Sequence, residues 1–211
     1  MTSSTGLETP YGNTSYGWIE LVNLGNTAVD ISGWGLSDNI GRPRKWQFSS
    51  GTIEPGEYKL VFASGLLESP TGSGAVHADF RLIALGETVI LSNPQGQIQD
   101  KLVIPKLEQN NSYGRDFDRG GLFYYEIPTA GASNVTQGFI GYAAKPTISM
   151  QGGVYLKPVT VTMSAPEGTR IRYTTDGSDP MHTTGTVYDG PLTVSVTSPL
   201  CARDVAPGYK A

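Results

Sequence analysis

The alternation of apolar and polar residues predicts short β-strands along the whole chain. The clearest run is residues 18–22, where Ile19 and Leu21 fall on one face and Trp18, Glu20 and Val22 fall on the other. A loop containing Asn and Gly joins this run to a second one at residues 28–31. Two such runs joined by this kind of loop predict a β-hairpin.

Further runs of the same kind follow, each bounded by turn residues. Residues 87–91 and 97–104 flank Asn93-Pro94-Gln95-Gly96, which predicts a second hairpin. The remaining predicted strands are residues 45–48, 58–63, 122–127, 147–149, 159–164, 170–174, 192–196 and 200–204. Many short strands at this spacing are typical of an all-β sandwich.

A change of composition after Asn134 divides the chain. Residues 135–145 indicate a linker or a domain-closing segment, and a new series of strands begins at Pro146. The sequence therefore predicts two consecutive β-sandwich domains, residues 1–140 and residues 145–211, each with its own hydrophobic core.

Composition narrows the possible classes of function. With 27 Gly, 14 Pro, 38% hydrophobic and 16% charged residues, the chain indicates a turn-rich folded protein rather than a disordered one. The net charge of −4 argues against nucleic acid as the main partner.

Cys201 is the single cysteine, so no intrachain disulfide forms, and we predict a buried structural thiol. The sequence shows no signal peptide and no apolar run that could span a bilayer.

Six ordered blocks in the first two-thirds of the chain resemble the lamin tail domain in its bacterial form, an immunoglobulin-like β-sandwich. They read WIELVN, VDISGWGLSD, GTIEPGEYKLVFASG, LGETVILSNPQGQIQDKLVI, SYGRDFD and IPTAGASN. The resemblance implies the fold more strongly than any function, because sandwiches of this kind have many unrelated roles.

The last third resembles the C-terminal β-sandwich domain of chitobiases and β-hexosaminidases. The matching pieces are GGVY followed by PVTV, then IRYTTDGSDP, VYDGPL and APGY. In that family the chemistry belongs to a separate barrel domain, so the resemblance implies no catalysis in these residues.

Both family patterns contain one strand more than the chain shows. The first begins with an earlier strand, and the second continues past the APGY segment. We therefore expect open sheet edges, and self-association through an edge strand of the second domain.

Catalytic and metal-binding constellations are not evident. His77 and His182 are interpreted as surface or loop residues, with no serine elbow, phosphate-binding loop or zinc-ligand spacing nearby. Asp116 and Asp118 resemble the front of a calcium loop, but the simpler interpretation is a surface turn in which Asp116 or Asp118 pairs with Arg115 or Arg119. The sequence predicts no catalytic residue, no metal and no cofactor.

The three tryptophans allow two interpretations, a sugar-stacking platform or core packing. Trp34 follows Ser-Gly at a strand entrance and is predicted to lie buried between the sheets. Trp46 is the candidate ligand-binding residue, because Arg44 and Lys45 place it in a cationic stretch.

Together these features predict a non-enzymatic binding or spacer module of a larger secreted or surface bacterial protein. We expect it to mediate protein–protein or envelope association. The alternatives are a carbohydrate-binding accessory module of an attached hydrolase, and nucleic-acid association by analogy with lamin tails.

Overall fold

The structure is a computed structural model that describes residues 1, 7–67, 74–181 and 184–210. These residues form strands and no helix, so the all-β prediction is confirmed. None of them provides an apolar helix long enough to cross a membrane. The chain divides into two units, Met1–Gln137 and Gly138–Ala211. The boundaries predicted at residues 140 and 145 stay a prediction.

The described residues of unit 1 form thirteen short strands. They are β1 (Leu7–Thr9), β2 (Gly12–Thr14), β3 (Gly17–Val22), β4 (Val29–Asp30), β5 (Gly35–Ser37), β6 (Trp46–Gln47), β7 (Thr52–Ile53), β8 (Tyr58–Ala63), β9 (Val76–Ala78), β10 (Glu87–Ser92), β11 (Ile98–Ile104), β12 (Ser112–Arg115) and β13 (Leu122–Tyr125).

Two sheets make up the body of unit 1. In one, β8 pairs antiparallel with β3 and parallel with β9; in the other the order is β11-β10-β5-β6, antiparallel throughout. Shorter antiparallel pairs are β1–β2, β4–β7 and β12–β13. The core contains apolar residues from both sheets, including Leu36 and Val61, which are fully buried.

The predicted alternation in β3 is confirmed. Ile19 and Leu21 pack with the main core, whereas Trp18 packs on the opposite face with Leu60 and Phe62. A strand with apolar groups on both faces is covered on both faces, and Trp18 is only 5% exposed.

The first predicted hairpin is wrong, although its strands exist. β3 pairs with β8 and β4 pairs with β7, so the two runs belong to different strand pairs. The Asn23 side chain donates hydrogen bonds to the carbonyls of Thr27 and Ile53, both at 2.8 Å. These bonds connect the loop after β3 to Ile53 of β7, so the loop does not form a tight turn that pairs β3 with β4. The second predicted hairpin, β10–β11, is confirmed.

In unit 2 the part of the chain that the structure describes forms ten strands, most of them shorter. They are β14 (Gly138–Phe139), β15 (Gly141–Tyr142), β16 (Thr147–Ile148), β17 (Val159–Val161), β18 (Met163–Ser164), β19 (Arg170–Thr174), β20 (Thr186–Val187), β21 (Leu192–Val194), β22 (Cys201–Val205) and β23 (Tyr209–Lys210). Its three-stranded sheet has the order β20-β19-β22, and β16–β18 and β17–β21 form two antiparallel pairs.

Residues 135–145, predicted as a linker or a domain-closing segment, are divided after Gln137, and residues 138–145 form part of unit 2. β15 pairs in parallel with β23, and backbone bonds from Ile140 to Gly208 and from Ala143 to Lys210 extend the pairing. The predicted self-association through an edge of this domain stays a prediction. Cys201 is half-buried rather than buried, which corrects the expectation of a core thiol.

Candidate binding site

A cavity of about 520 Å³ opens between the two sheets of unit 1. Its apolar walls include Ile19 and Leu21 of β3, Leu91 of β10 and Leu102 of β11, and β12 contributes a further wall. This volume is within the range of ligand-binding cavities, roughly 300–1,000 Å³. The cavity is therefore the leading candidate for a binding site in this unit.

The edge of β3 at this cavity has unpaired backbone groups. Residues 18 to 24 all line the cavity, and β3 has a partner strand only on its β8 side among the described residues. Trp18 exchanges two hydrogen bonds with Met1, at 2.9 and 3.0 Å, so its backbone N–H and C=O point away from β8. Because alternate residues of a strand point to the same edge, the groups of Glu20 and Val22 point there too. They have no backbone partner within the described residues.

The edge of β12 lies along the same cavity. Asp116 bonds to the carbonyl of Gly121 across the β12–β13 pair, so Tyr113 and Arg115 direct their backbone groups away from β13. The side-chain amide of Asn134 donates to the carbonyl of Arg115 at 3.0 Å. The Asn134 side chain thus bonds a carbonyl of β12 that a neighbouring strand would otherwise bond.

Residues 129–134, here called the strap, connect β3 to β12 through hydrogen bonds to each. The Gly131 N–H donates to Glu20 Oε1 at 2.6 Å, and Asn134 provides the bond to β12. Gly131 has a φ of +82°, and a Cβ there would lie 2.7 Å from Pro10 Cγ. Both facts require glycine at this position.

Two ionisable groups lie at the β3 end of the cavity, the buried Met1 amine and the half-buried Glu20 carboxyl. Burial raises the pKa of Glu20 to about 7, while the bond from Gly131 opposes this shift. Burial lowers the pKa of the Met1 amine to about 5, with the charges of Glu20 and Glu87 opposing it. In both cases burial disfavours the charged form of the group.

The opposite side of the cavity carries exposed charges. Arg115 binds Asp100 through two hydrogen bonds, at 2.6 and 2.9 Å, and both residues line the cavity. Between the charged and apolar regions lies the hydroxyl of Ser112, which is buried and has no hydrogen-bond partner within the described residues.

The predicted ligand-binding residues lie elsewhere, around β6, and make internal contacts. Lys45 binds the carboxylate of Asp38 at 2.7 Å and lies over the ring of Phe80. Trp46 is half-buried against Phe48, with ring centroids 4.7 Å apart.

Arg44, the third predicted residue, also binds within unit 1. Its guanidinium donates to the Gly33 carbonyl at 3.3 Å and to Gln47, and its Nε is buried without a partner within the described residues. The ligand-binding role of Trp46, Arg44 and Lys45 stays a prediction.

Trp34 corrects a prediction. It was expected to be largely buried between the sheets, but it is half-buried and lines the cavity. The indole ring borders the cavity, so the core covers only part of it. Trp18 is the tryptophan that the fold buries.

His77 is buried in β9 instead of lying on the surface as expected. Its Nδ1 lies 3.0 Å from the hydroxyl of Ser64, and its ring packs against Phe62. Ser64 is fully buried, so the geometry gives a substrate no access to this hydroxyl. His182 lies outside the described residues.

The turn at Asp116 is a hydrogen-bonded loop, as the simpler interpretation predicted. Its carboxylate accepts the backbone N–H of Arg119 at 2.7 Å and the Arg119 Nε at 2.6 Å. The backbone bond from Arg119 is the main reason that the pKa of Asp116 is lowered. Within the described part of the chain, no three His, Cys, Asp or Glu residues converge on a metal-binding position.

Comparison with known families agrees with this architecture. Residues 5–106 match the Lamin Tail Domain model, and residues 150–211 match that of the Chitobiase/beta-hexosaminidase C-terminal domain. The two matches occur in this order along the chain. Both resemblances are confirmed, and both families are non-catalytic immunoglobulin-like β-sandwich domains. No curated protein and no solved structure matches the chain significantly.

The lamin tail match covers β3 and β11 but ends before β12. The cavity therefore combines strands of the matched domain with β12 and the strap, which follow it in sequence. Sequence reasoning missed this site, because Glu20 and Tyr113 look like ordinary strand residues. A carboxylate inside an apolar strand, at Glu20, was the one signal available.

Proposed function

We propose that the chain is a non-enzymatic module that binds a segment of a partner protein in the cavity of unit 1. One observation carries the proposal: an open cavity of about 520 Å³ with apolar walls lies between the two sheets of unit 1. Apolar grooves are surfaces that proteins use to recognise peptides. The non-catalytic nature of both families supports the absence of an enzymatic role.

A ligand screen tests the class of partner. The full chain is offered a displayed library of random peptides, a glycan array and duplex DNA at several salt concentrations. We expect enrichment of apolar peptides. Binding of glycans or DNA without binding of any peptide would overturn the proposal.

A matched pair of variants assigns the binding to the cavity. Leu102 lines the cavity, whereas its neighbour Val103 on the same strand is 61% exposed. Leu102→Phe narrows the cavity and should weaken peptide binding, whereas Val103→Phe should leave it unchanged. Equal binding by both variants would place the peptide site elsewhere.

Carbohydrate binding is the second candidate, supported by one observation. Trp34 leaves part of its ring uncovered at the cavity, and an uncovered aromatic ring stacks on sugars. The glycan array distinguishes the two, and Trp34→Ala should abolish a glycan signal.

We also propose that the parent protein works outside the cell or at its surface. Its resemblance to modules of secreted proteins supports this location. Detection of the protein in the culture medium or the envelope fraction, and not in the cytosol, is the test.

A further inference from the structure

We infer that unit 2 attaches to the surface of a phospholipid bilayer through two apolar loops at one end of its strands. Loop 149–158 connects β16 to β17, and loop 195–200 connects β21 to β22. The inference goes beyond the proposed function, because it concerns unit 2 and does not involve the cavity of unit 1. The partner is the head-group layer of the membrane together with the adjoining acyl chains.

The two loops leave the same end of one strand pair. Val159, the first residue of β17, pairs with Val194, the last residue of β21. In an antiparallel pair the start of one strand lies beside the end of the other, so loop 149–158 and loop 195–200 are neighbours. The groups that they expose are side chains at loop tips, and not the backbone groups of a strand edge.

The apolar side chains of these loops are almost completely exposed. Val154 is 95% exposed and Leu156 is 99% exposed, and Tyr155 between them is exposed as well. Val196 adds a further exposed side chain from the second loop. Exposed apolar groups that cluster on a surface mark contacts with proteins or membranes.

Loop 149–158 is held in shape by a bond of its own. The Tyr155 hydroxyl donates to the Gln151 carbonyl at 2.7 Å. This bond satisfies a backbone acceptor close to the tip, which matters because unpaired backbone groups are costly near lipid. Val154 and Leu156 therefore project from a loop that is already closed.

The shape of this surface favours lipid over a protein partner. Val154 and Leu156 stand out from a loop tip and do not line a groove, as their exposure shows. A fluid bilayer accommodates protruding side chains, whereas a protein must provide a pocket for each. Tyr155 suits the same location, since amphipathic aromatic rings favour the level of the head groups. Contacts of this kind reach roughly 5–10 Å into the membrane.

The charges at this end of unit 2 balance, so apolar contact is the expected source of binding. Lys157 is the only charged residue of the two loops. The turn that packs against loop 195–200 carries Asp176, and Asp179 beyond it forms an ion pair with Arg203 at 2.8 Å. We therefore expect binding to phosphatidylcholine, which has no net charge, and little dependence on salt concentration.

Vesicle flotation of the full chain tests the inference. One set of vesicles is pure phosphatidylcholine, and the other is an equal mixture of phosphatidylcholine and phosphatidylglycerol. We expect the chain to float with both. The vesicles should also protect the amides of residues 153–157 from hydrogen exchange and leave those of unit 1 unchanged.

A matched pair of substitutions assigns the contact to the loops. Leu156→Ser removes an apolar tip and should weaken binding to both kinds of vesicle about tenfold, because a leucine side chain no longer enters the lipid. Leu85→Ser changes a leucine of unit 1 that is 79% exposed and should bind like the parent. Both side chains are exposed, so neither substitution removes core packing.

Three results would overturn the inference. They are binding only to the vesicles that contain phosphatidylglycerol, equal loss of binding in the two variants, and no flotation with either kind of vesicle. The last result would assign the exposed loops to a protein partner instead. None of them affects the proposed function, because the peptide screen contains no lipid.

Discussion

Unit 1 and unit 2 are both built from short strands, but they treat buried carboxylates differently. In unit 1 the half-buried Glu20 accepts a bond from Gly131, and the buried Asp116 accepts several from its own turn. In unit 2 Asp204 is 1% exposed, and neither of its oxygens has a partner within the described residues. A buried carboxyl group without a hydrogen-bond partner is costly. Among the described residues, unit 2 therefore carries a destabilising buried carboxyl group that has no counterpart in unit 1.

The hydrophobic core is also smaller in unit 2 than in unit 1. Unit 1 packs residues of both sheets into one cluster, whereas the buried apolar residues described in unit 2 are few: Val161, Met163, Ile171, Val205 and Ala206. A smaller core leaves less free energy to offset a buried carboxylate. The comparison indicates that unit 1 is the more stable part of the chain.

Replacing Leu36 by alanine should have the largest effect. This residue is fully buried in the central strand β5, so truncation should destabilise unit 1 by about 2–5 kcal/mol. Denaturant unfolding followed separately in each unit is the measurement. Ile171→Ala is the counterpart in unit 2 and should affect only that unit. If either substitution shifted both transitions, the two units would not unfold independently, and their stabilities could not be compared separately.

Asp204→Ala should stabilise unit 2, by about 1–3 kcal/mol, because it removes a buried polar group that lacks partners. The midpoint of the unit 2 transition in urea is the measurement. Asp204→Asn serves as control, since it remains polar and should gain less. Destabilisation by the alanine variant would mean that the carboxylate makes a favourable interaction in unit 2.

Trp34→Ala should cost about 1–2 kcal/mol, less than the roughly 3–5 kcal/mol of a fully buried aromatic residue. The reason is the cavity, which leaves the indole half-buried. Trp18→Ala, at a residue that is 5% exposed, should show the full cost in the same thermal unfolding assay. Equal costs would mean that the cavity closes around Trp34 in solution.

The smallest expected effect is a change in the pH dependence of unit 1. The pKa of Glu20 is raised from 4.5 to about 7, so its contribution makes stability fall as pH rises through this range. The pKa of the Met1 amine is lowered from 8.0 to about 5, so its contribution rises between those values. The two slopes oppose each other between about pH 5 and pH 7.

Glu20→Gln should therefore expose the contribution of the amine. We expect the stability of the parent unit 1 to change little between pH 5 and pH 7, and that of the variant to rise with pH up to about 8. Urea unfolding at several pH values measures both. Identical pH profiles would show that Glu20 is not buried as the structure has it.

Local patterns predicted strands well and pairing poorly. Residues 58–63 were predicted with the bounds of β8, because a Pro-Gly turn precedes a strong apolar run. The hairpin at residues 18–31 was wrong, because the partner of β3 is a distant strand and distant pairing leaves no local signal. The cavity escaped prediction for the same reason, because its walls come from β3, β10, β11 and β12, which are distant in sequence.

The parallel pair β15–β23 also has a consequence for the order of folding. It joins Gly141 to Tyr209, nearly the two ends of unit 2, so this contact closes a loop of almost the whole unit. Contacts between distant residues form slowly, because the intervening chain must be ordered first. During synthesis, unit 1 is complete and free of the ribosome before residue 209 is added. The β15–β23 pair of unit 2 must wait for β23, and until then the edge of β15 is open to neighbouring chains.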